Sequence, residues 1–159
     1  MPVTDVKKDL DGLTMTVTAE FDAGAERVWE MWSDPRLLER WWGPPTHPAT
    51  FVDHEFVPGG RAAYFMTSPE GQKYHGWWRF EEVEPPSMLR FEDGFADEDG
   101  KPNDEMPTTI ATVTIAESGG ATTMSIQSKF GSREGMEKVI EMGVEQGTVE
   151  ALNQIDALL

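Results

Sequence analysis

The chain contains no cysteine. That absence removes disulfides, thiolate nucleophiles and cysteine-based zinc sites, and it fits a reducing compartment such as the cytoplasm. Basic residues are scarce. Thirteen Lys and Arg stand against 29 Asp and Glu, a formal net charge of −16 over 159 residues. Such a surface repels nucleic acid and anionic lipid, so neither is an expected partner. No apolar run approaches the roughly 18 residues a membrane span needs. The opening MPVTDVKKDLDG lacks the apolar centre of a signal peptide. HExxH, a nucleophile elbow, a P-loop and GxGxxG are all missing, and no cofactor is expected. The three histidines do not make a metal site either. His54 lies between Asp53 and Glu55, and strand alternation turns it away from both acids. His75 shares a strand face with Lys73 and Arg79 and reads as a solvent-facing or hydrogen-bonded structural residue. The acidic run EDGFADEDGKPNDE fails the EF-hand pattern at the third, fifth and sixth loop positions, which leaves a solvated loop.

What is present is ordered hydrophobic patterning at two periods. LTMTVTAEF (13–21) is β-branched, with Leu13, Met15 and Val17 on one face of a strand. DAGAERVWEMWSDP follows with a helical stripe of Val28, Trp29 and Trp32, and Asp22 stands where a cap belongs. Pro35 ends that helix and opens a second short one, capped by Asp34, which Gly43, Pro44 and Pro45 stop. Past residue 48 the period falls to two. ATFVDHEFVP, GRAAYFMTS, KYHGWWRFEEVE, SMLRFEDGF, TTIATVTIAE and ATTMSIQSKF read as six strands, joined by short loops (PGG, SPEG, EPPS and SGG among them) into an antiparallel meander. Residues 132–159 read as one long amphipathic helix, capped by Ser132. Its stripe runs Met136, Val139, Ile140, Gly143, Val144, Gly147, Ala151, Leu152, Ile155 and Leu158. The two stripe glycines weaken that helix by about 1 kcal/mol each, which makes sense where the sheet or a ligand must come close.

These elements predict an α+β domain spanning 1–159, with a curved antiparallel sheet of about seven strands wrapped around the C-terminal helix. A curved sheet and one helix rarely fill the space between them, so the arrangement itself implies a cavity. The order of motifs resembles the START-like (SRPBCC, helix-grip) superfamily. Within it, the chain is similar to the family related to the activator of the 90-kDa heat-shock-protein ATPase. The carrying residues are FDAGAERVWEMWSDP, LERWWGP, FVPGGRAAYFM, SPEGQKYHGWWRFEEVEPPSMLRFE, DEDGKP and MGVEQGTVEALNQIDALL. Gly24 stands where many relatives have proline, and Thr148 where many have tryptophan, which leaves extra room beside the helix.

The resemblance implies that the segment holding Trp41 and Trp42 lies across the mouth of the sheet as a lid. Adjacent residues on such an irregular segment need not point the same way, so one ring facing inward and one serving as structural cover is compatible with that path. On KYHGWWRF the apolar set Tyr74, Gly76, Trp78 and Phe80 belongs on the buried face and Trp77 on the other. The candidate ligand-binding residues are Trp41, Trp42, Tyr64, Trp78, Phe80, Phe91, Gly143, Gln146 and Gly147. An enzyme would need a polar group inside the cavity, for which Tyr64, Glu92 and Gln146 are available; nothing in their spacing makes them a catalytic set. The leading expectation is therefore binding of a small apolar or aromatic molecule, lipid included, without catalysis. The resemblance implies two alternatives. One is a co-chaperone acting on the heat-shock ATPase, an activity of eukaryotic relatives with an additional N-terminal domain for which these residues leave no room. The other is a cyclase or hydrolase. A monomer, or a homodimer paired through a sheet edge, is the expected state.

Overall fold

The computed structural model describes residues 2–159. Eight strands form one antiparallel sheet: β1 (Val3–Asp9), β2 (Thr14–Phe21), β3 (Ala49–His54), β4 (Arg61–Thr67), β5 (Lys73–Glu84), β6 (Met88–Phe95), β7 (Thr109–Ser118) and β8 (Ala121–Phe130). Their order across the sheet is β1-β2-β8-β7-β6-β5-β4-β3. The meander is thus as read, with β2 closing against β8 in register from Thr14 opposite Lys129 to Phe21 opposite Thr122. The added strand is β1. It pairs only with β2, carries Lys7 and Lys8 into solvent and buries little beyond parts of Val3 and Val6. Charged residues on an edge strand are what keeps its free side from pairing with other chains, and they also erase the alternation by which a strand is recognised.

Helices α1 (Ala25–Ser33) and α2 (Pro35–Trp41) follow β2. Asp34 caps α2, its side chain accepting from the Arg36 N–H at 2.9 Å. Asp22 does not cap α1. The N-cap is Gly24, which offers no side chain, and Glu117 reaches across from β7 to accept the Ala25 N–H at 2.6 Å. The buried side of α1 is Val28, Trp29, Met31 and Trp32, the expected stripe widened by one residue.

The C-terminal segment is not one helix. α3 (Arg133–Glu141) begins at the Ser132 cap, whose Oγ accepts the Gly135 N–H at 3.0 Å. It ends where Gly143 takes a left-handed conformation at φ 89° and ψ 23°, and α4 (Val144–Leu152) restarts from there, followed by a 3-10 turn over Ile155–Leu158. A left-handed residue cannot continue a right-handed helix, and glycine reaches that region at no steric cost. The glycine placed on a continuous stripe is the hinge between two helices.

The core is aromatic. Trp32, Trp41 and Trp78 are each fully buried. Trp32 packs edge-on to Trp41 at 4.8 Å between centroids, and Trp78 stacks on Phe91 at 4.2 Å. The Trp32 and Trp41 N–H groups are satisfied internally, by Met124 Sδ at 3.2 Å and the Met31 carbonyl at 2.9 Å. Phe80 sits behind Trp78 with 1% of its surface accessible, while Trp77 lies on the opposite face, its N–H donating to the Phe95 carbonyl. The segment after α2 crosses without ladder hydrogen bonds, and a side chain holds it instead. The Gln154 amide donates to the carbonyls of Trp41 and Gly43 at 3.1 and 2.8 Å.

Candidate functional site

Between the inner face of the sheet and α3–α4 lies a cavity of about 480 Å³. Ordinary small-molecule sites run from about 300 to 1,000 Å³, so the space is of ligand size. Its walls are mainly apolar: Met66 from β4, Ala111 from β7, Ile126 from β8, Val139 from α3, and Val144 and Ala151 from α4. Tyr74 and Met142, both more than half exposed, mark the rim beside Gly143 and Pro44.

The nine sequence candidates divide into three groups. Trp41, Trp42, Tyr64, Gly143 and Gly147 line the cavity. Trp41 is fully buried, whereas Trp42 is half-buried on the segment after α2. Trp78, Phe80 and Phe91 point inward as alternation requires, but they form the packed aromatic floor behind the cavity. Gln146 belongs to neither group. It is exposed on the outer side of α4 and its amide donates to Glu150 at 3.0 Å. It lies off the apolar stripe, which carries on through α4 as expected: Val144, Gly147, Ala151 and Leu152 line the cavity. A methyl added at Gly147 would meet no atom within 4 Å. This glycine leaves room in the cavity and does not serve a close approach of sheet and helix.

The polar end of the cavity is Tyr64 and Asp93. The Tyr64 hydroxyl donates to Asp93 Oδ1 at 3.3 Å. Gly76, opposite Tyr64 in the β4–β5 ladder, makes this possible, because a methyl there would overlap the phenol ring. Asp93 was not a sequence candidate; its neighbour Glu92 was. Glu92 lies on the outer face, paired with Arg79 Nη2 at 3.4 Å. The alternation Leu89, Phe91, Asp93 along β6 carries the inward set directly to Asp93, so the signal was present in the strand pattern.

Burial raises the Asp93 pKa to about 7, against lesser opposing effects of the Tyr64 hydroxyl and the Trp78 N–H. Part of the residue's surface remains accessible, because it faces the cavity, yet packed protein surrounds the carboxyl. Burial also pushes the Tyr64 phenol well above its ordinary value, and the Asp93 charge adds to that. Two further polar atoms meet here. The indole N–H groups of Trp42 and Trp78 are buried and have no hydrogen-bond partner.

His47 and His75 are among the residues lining the cavity, and His54 lies apart from it. His54 Nε2 is 3.0 Å from the Trp32 carbonyl, so Nε2 carries the proton, and burial lowers its pKa. His75 stands half-buried beside Phe65. Among the described residues no three His, Asp or Glu side chains cluster as a metal site, and no helix is long and apolar enough to cross a membrane.

Comparison with known proteins agrees with this fold. Protein Ms6760 from Mycobacterium smegmatis, known from a crystal structure, is 51% identical, with a TM-score of 0.92 over 99% of this chain and 97% of that one. A protein from Arthrobacter aurescens solved by NMR is 55% identical, with a TM-score of 0.94 over 98% of this chain and 90% of that one. CalU16 from Micromonospora echinospora, at 18% identity and a TM-score of 0.58, shares the fold alone. None of the curated proteins compared matches the chain. The family model described as "Activator of Hsp90 ATPase homolog 1-like protein" matches residues 22–159. With an antiparallel sheet gripping C-terminal helices and this match over most of its length, the chain belongs to the activator of Hsp90 ATPase homolog 1-like family.

Proposed function

We propose that this protein binds a small, mainly apolar molecule in the cavity between the sheet and α3–α4. The observation that carries the reading is a mainly apolar space of about 480 Å³ with the Tyr64–Asp93 pair in its wall. Interiors pack nearly as densely as organic crystals, so a space of this size is not filler left by ordinary core packing. Here Gly147 and Thr148 instead leave their side of α4 open to it. Native mass spectrometry of protein purified without detergent tests the reading. A co-purified mass of one small molecule per chain is the expected result; bare protein that also fails to take up a panel of neutral aromatic compounds would remove it.

The family name favours a second reading, an action on the Hsp90 ATPase. Mixing the protein with the cognate chaperone at tens of micromolar and following ATP hydrolysis separates the two. No binding and no rate change would leave the cavity as the functional feature.

A further inference from the structure

Asp93 has no counter-ion among the described residues. It lines the cavity from β6 and keeps part of its surface toward it. The polar groups that act on its charge are the Tyr64 hydroxyl, which donates to Oδ1 at 3.3 Å, and the Trp78 N–H. Neither carries a positive charge. Among the described residues that line the cavity none is Lys or Arg; besides Asp93 the titratable ones are Tyr64 from β4, Tyr74 and His75 from β5, and His47 from the segment after α2. The walls from β7, β8, α3 and α4 contribute no titratable side chain. Thr109 stands directly opposite Asp93 in the β6–β7 ladder and lines the cavity too. Directly opposed side chains share a face, their Cβ atoms about 4.5–5.5 Å apart, so the threonine hydroxyl is a second acceptor beside the carboxyl. The rings of Trp42 and Tyr64, 6.3 Å apart between centroids, line the same space. Aromatic walls attract a cation where aliphatic ones do not.

Resting on the binding reading above, we propose that the cavity takes a ligand with an apolar body and a protonated amine, its ammonium seated against Asp93 and Thr109. The ammonium donates to the carboxylate and to the threonine hydroxyl, and the apolar body fills the space toward α4. A buried uncompensated charge is among the most costly arrangements in a protein, and burial has raised the Asp93 pKa for that reason. Folding alone has taken this carboxyl out of water. A cation arriving beside it therefore supplies the missing charge, and only the ammonium has still to lose its hydration. The formal net charge of −16 also draws cations toward the protein from a distance. A ligand anion has the opposite fate, since it meets Asp93 with no Lys or Arg in the wall to hold it.

Three naphthalenes of similar size separate the possibilities: 2-(aminomethyl)naphthalene, its uncharged counterpart 2-ethylnaphthalene, and 2-naphthoate. Affinities are measured by titration at about pH 8, above the Asp93 transition. His47 and His75 gain positive charge as the pH falls and repel an amine for reasons unrelated to Asp93, so the pH-dependent readout is Asp93 itself. Its carboxyl is followed by ¹³C spectroscopy between about pH 5 and about pH 8.5 in the free protein and with each probe at saturation. Asp93→Asn assigns the signal by deletion. The amine is expected to bind about tenfold more tightly than the hydrocarbon. It should also lower the Asp93 pKa by about one pH unit, which is the same tenfold preference seen from the carboxyl. 2-Ethylnaphthalene should not lower it, and naphthoate should bind least. In Asp93→Asn the preference for amine over hydrocarbon should disappear. Equal affinities for amine and hydrocarbon, an Asp93 pKa that the amine does not lower, an amine preference that survives Asp93→Asn, or a preference for naphthoate would each overturn the inference while leaving the cavity a binding site. If none of the three binds, the binding reading fails and this inference with it.

Discussion

Asp93→Asn removes one charge from a carboxyl surrounded by packed protein and keeps an oxygen to accept from Tyr64. In the unfolded chain an aspartate titrates near its ordinary 3.8, and in the folded one Asp93 titrates at about 7. The folded group therefore holds its proton over a pH range in which the unfolded group has lost it. Its contribution to stability is fully present below the unfolded pKa and is lost as the pH rises through the folded one. At about 1.4 kcal/mol per pH unit, the full cost of ionising Asp93 in place reaches about 4 kcal/mol, and local relaxation lowers that to about 2–4. Asparagine carries no such penalty. The variant should match the wild type near pH 4 and gain on it steadily to about pH 7. Above about pH 7.5 it should stay ahead by a constant margin, equivalent to roughly 5–12 °C in melting temperature for a chain of this size. Urea denaturation of both proteins at intervals between about pH 5 and pH 9 measures the difference directly, and the other 28 acidic residues, common to both chains, cancel. An offset that does not vary with pH, or a variant less stable at pH 8, would refute the buried, proton-holding Asp93 and the polar end built on it.

Gly143→Ala forces a left-handed alanine at φ 89° and should cost about 1–2 kcal/mol. Gly147→Ala, in an α4 interior with nothing within 4 Å of the new methyl, should gain up to about 1 kcal/mol; urea midpoints of the same sign would contradict the helix break. Gly76→Ala drives a methyl into the Tyr64 ring and should lose about 1–3 kcal/mol, with loss of the Tyr64–Asp93 contact visible as a further rise in the Asp93 carboxyl pKa. Thr148→Trp enters the cavity wall and should leave the melting temperature unchanged or raised. A large fall would mean that the space is already packed.

Much of this architecture was legible because period-two patterning and turn residues reinforce one another from β2 through β8. The inward face of β5 follows from alternation for Gly76, Trp78 and Phe80, which are buried, but not for Tyr74, which the same face was expected to bury and which stands half exposed at the cavity rim. β1 was not legible, since an edge strand with one neighbour and lysines toward solvent shows no apolar face. The break at Gly143 was hidden for a different reason. Apolar residues continue at helical spacing on both sides of it, and only the backbone conformation shows that the helix stops. Gln146 stands off the apolar stripe, and no helical pattern pointed it inward; it is exposed. Asp93 was lost by choosing Glu92, one position along a strand whose period is two. Whether an inward aromatic lines the cavity or floors it depends on depth. Depth is set by how Trp32, Trp78 and Phe91 pack across elements distant in sequence, and no local pattern records it.

The central claim is that the space beside α4 holds a ligand, and competition for that space tests it most directly. Equilibrium titration of the neutral dye N-phenyl-1-naphthylamine is compared between the wild type and Thr148→Trp, with both proteins folded to the same melting temperature or better. The account predicts saturable uptake at one dye per chain in the wild type and its loss in the variant. Dye uptake of equal strength in both proteins, or none in the wild type, would contradict it.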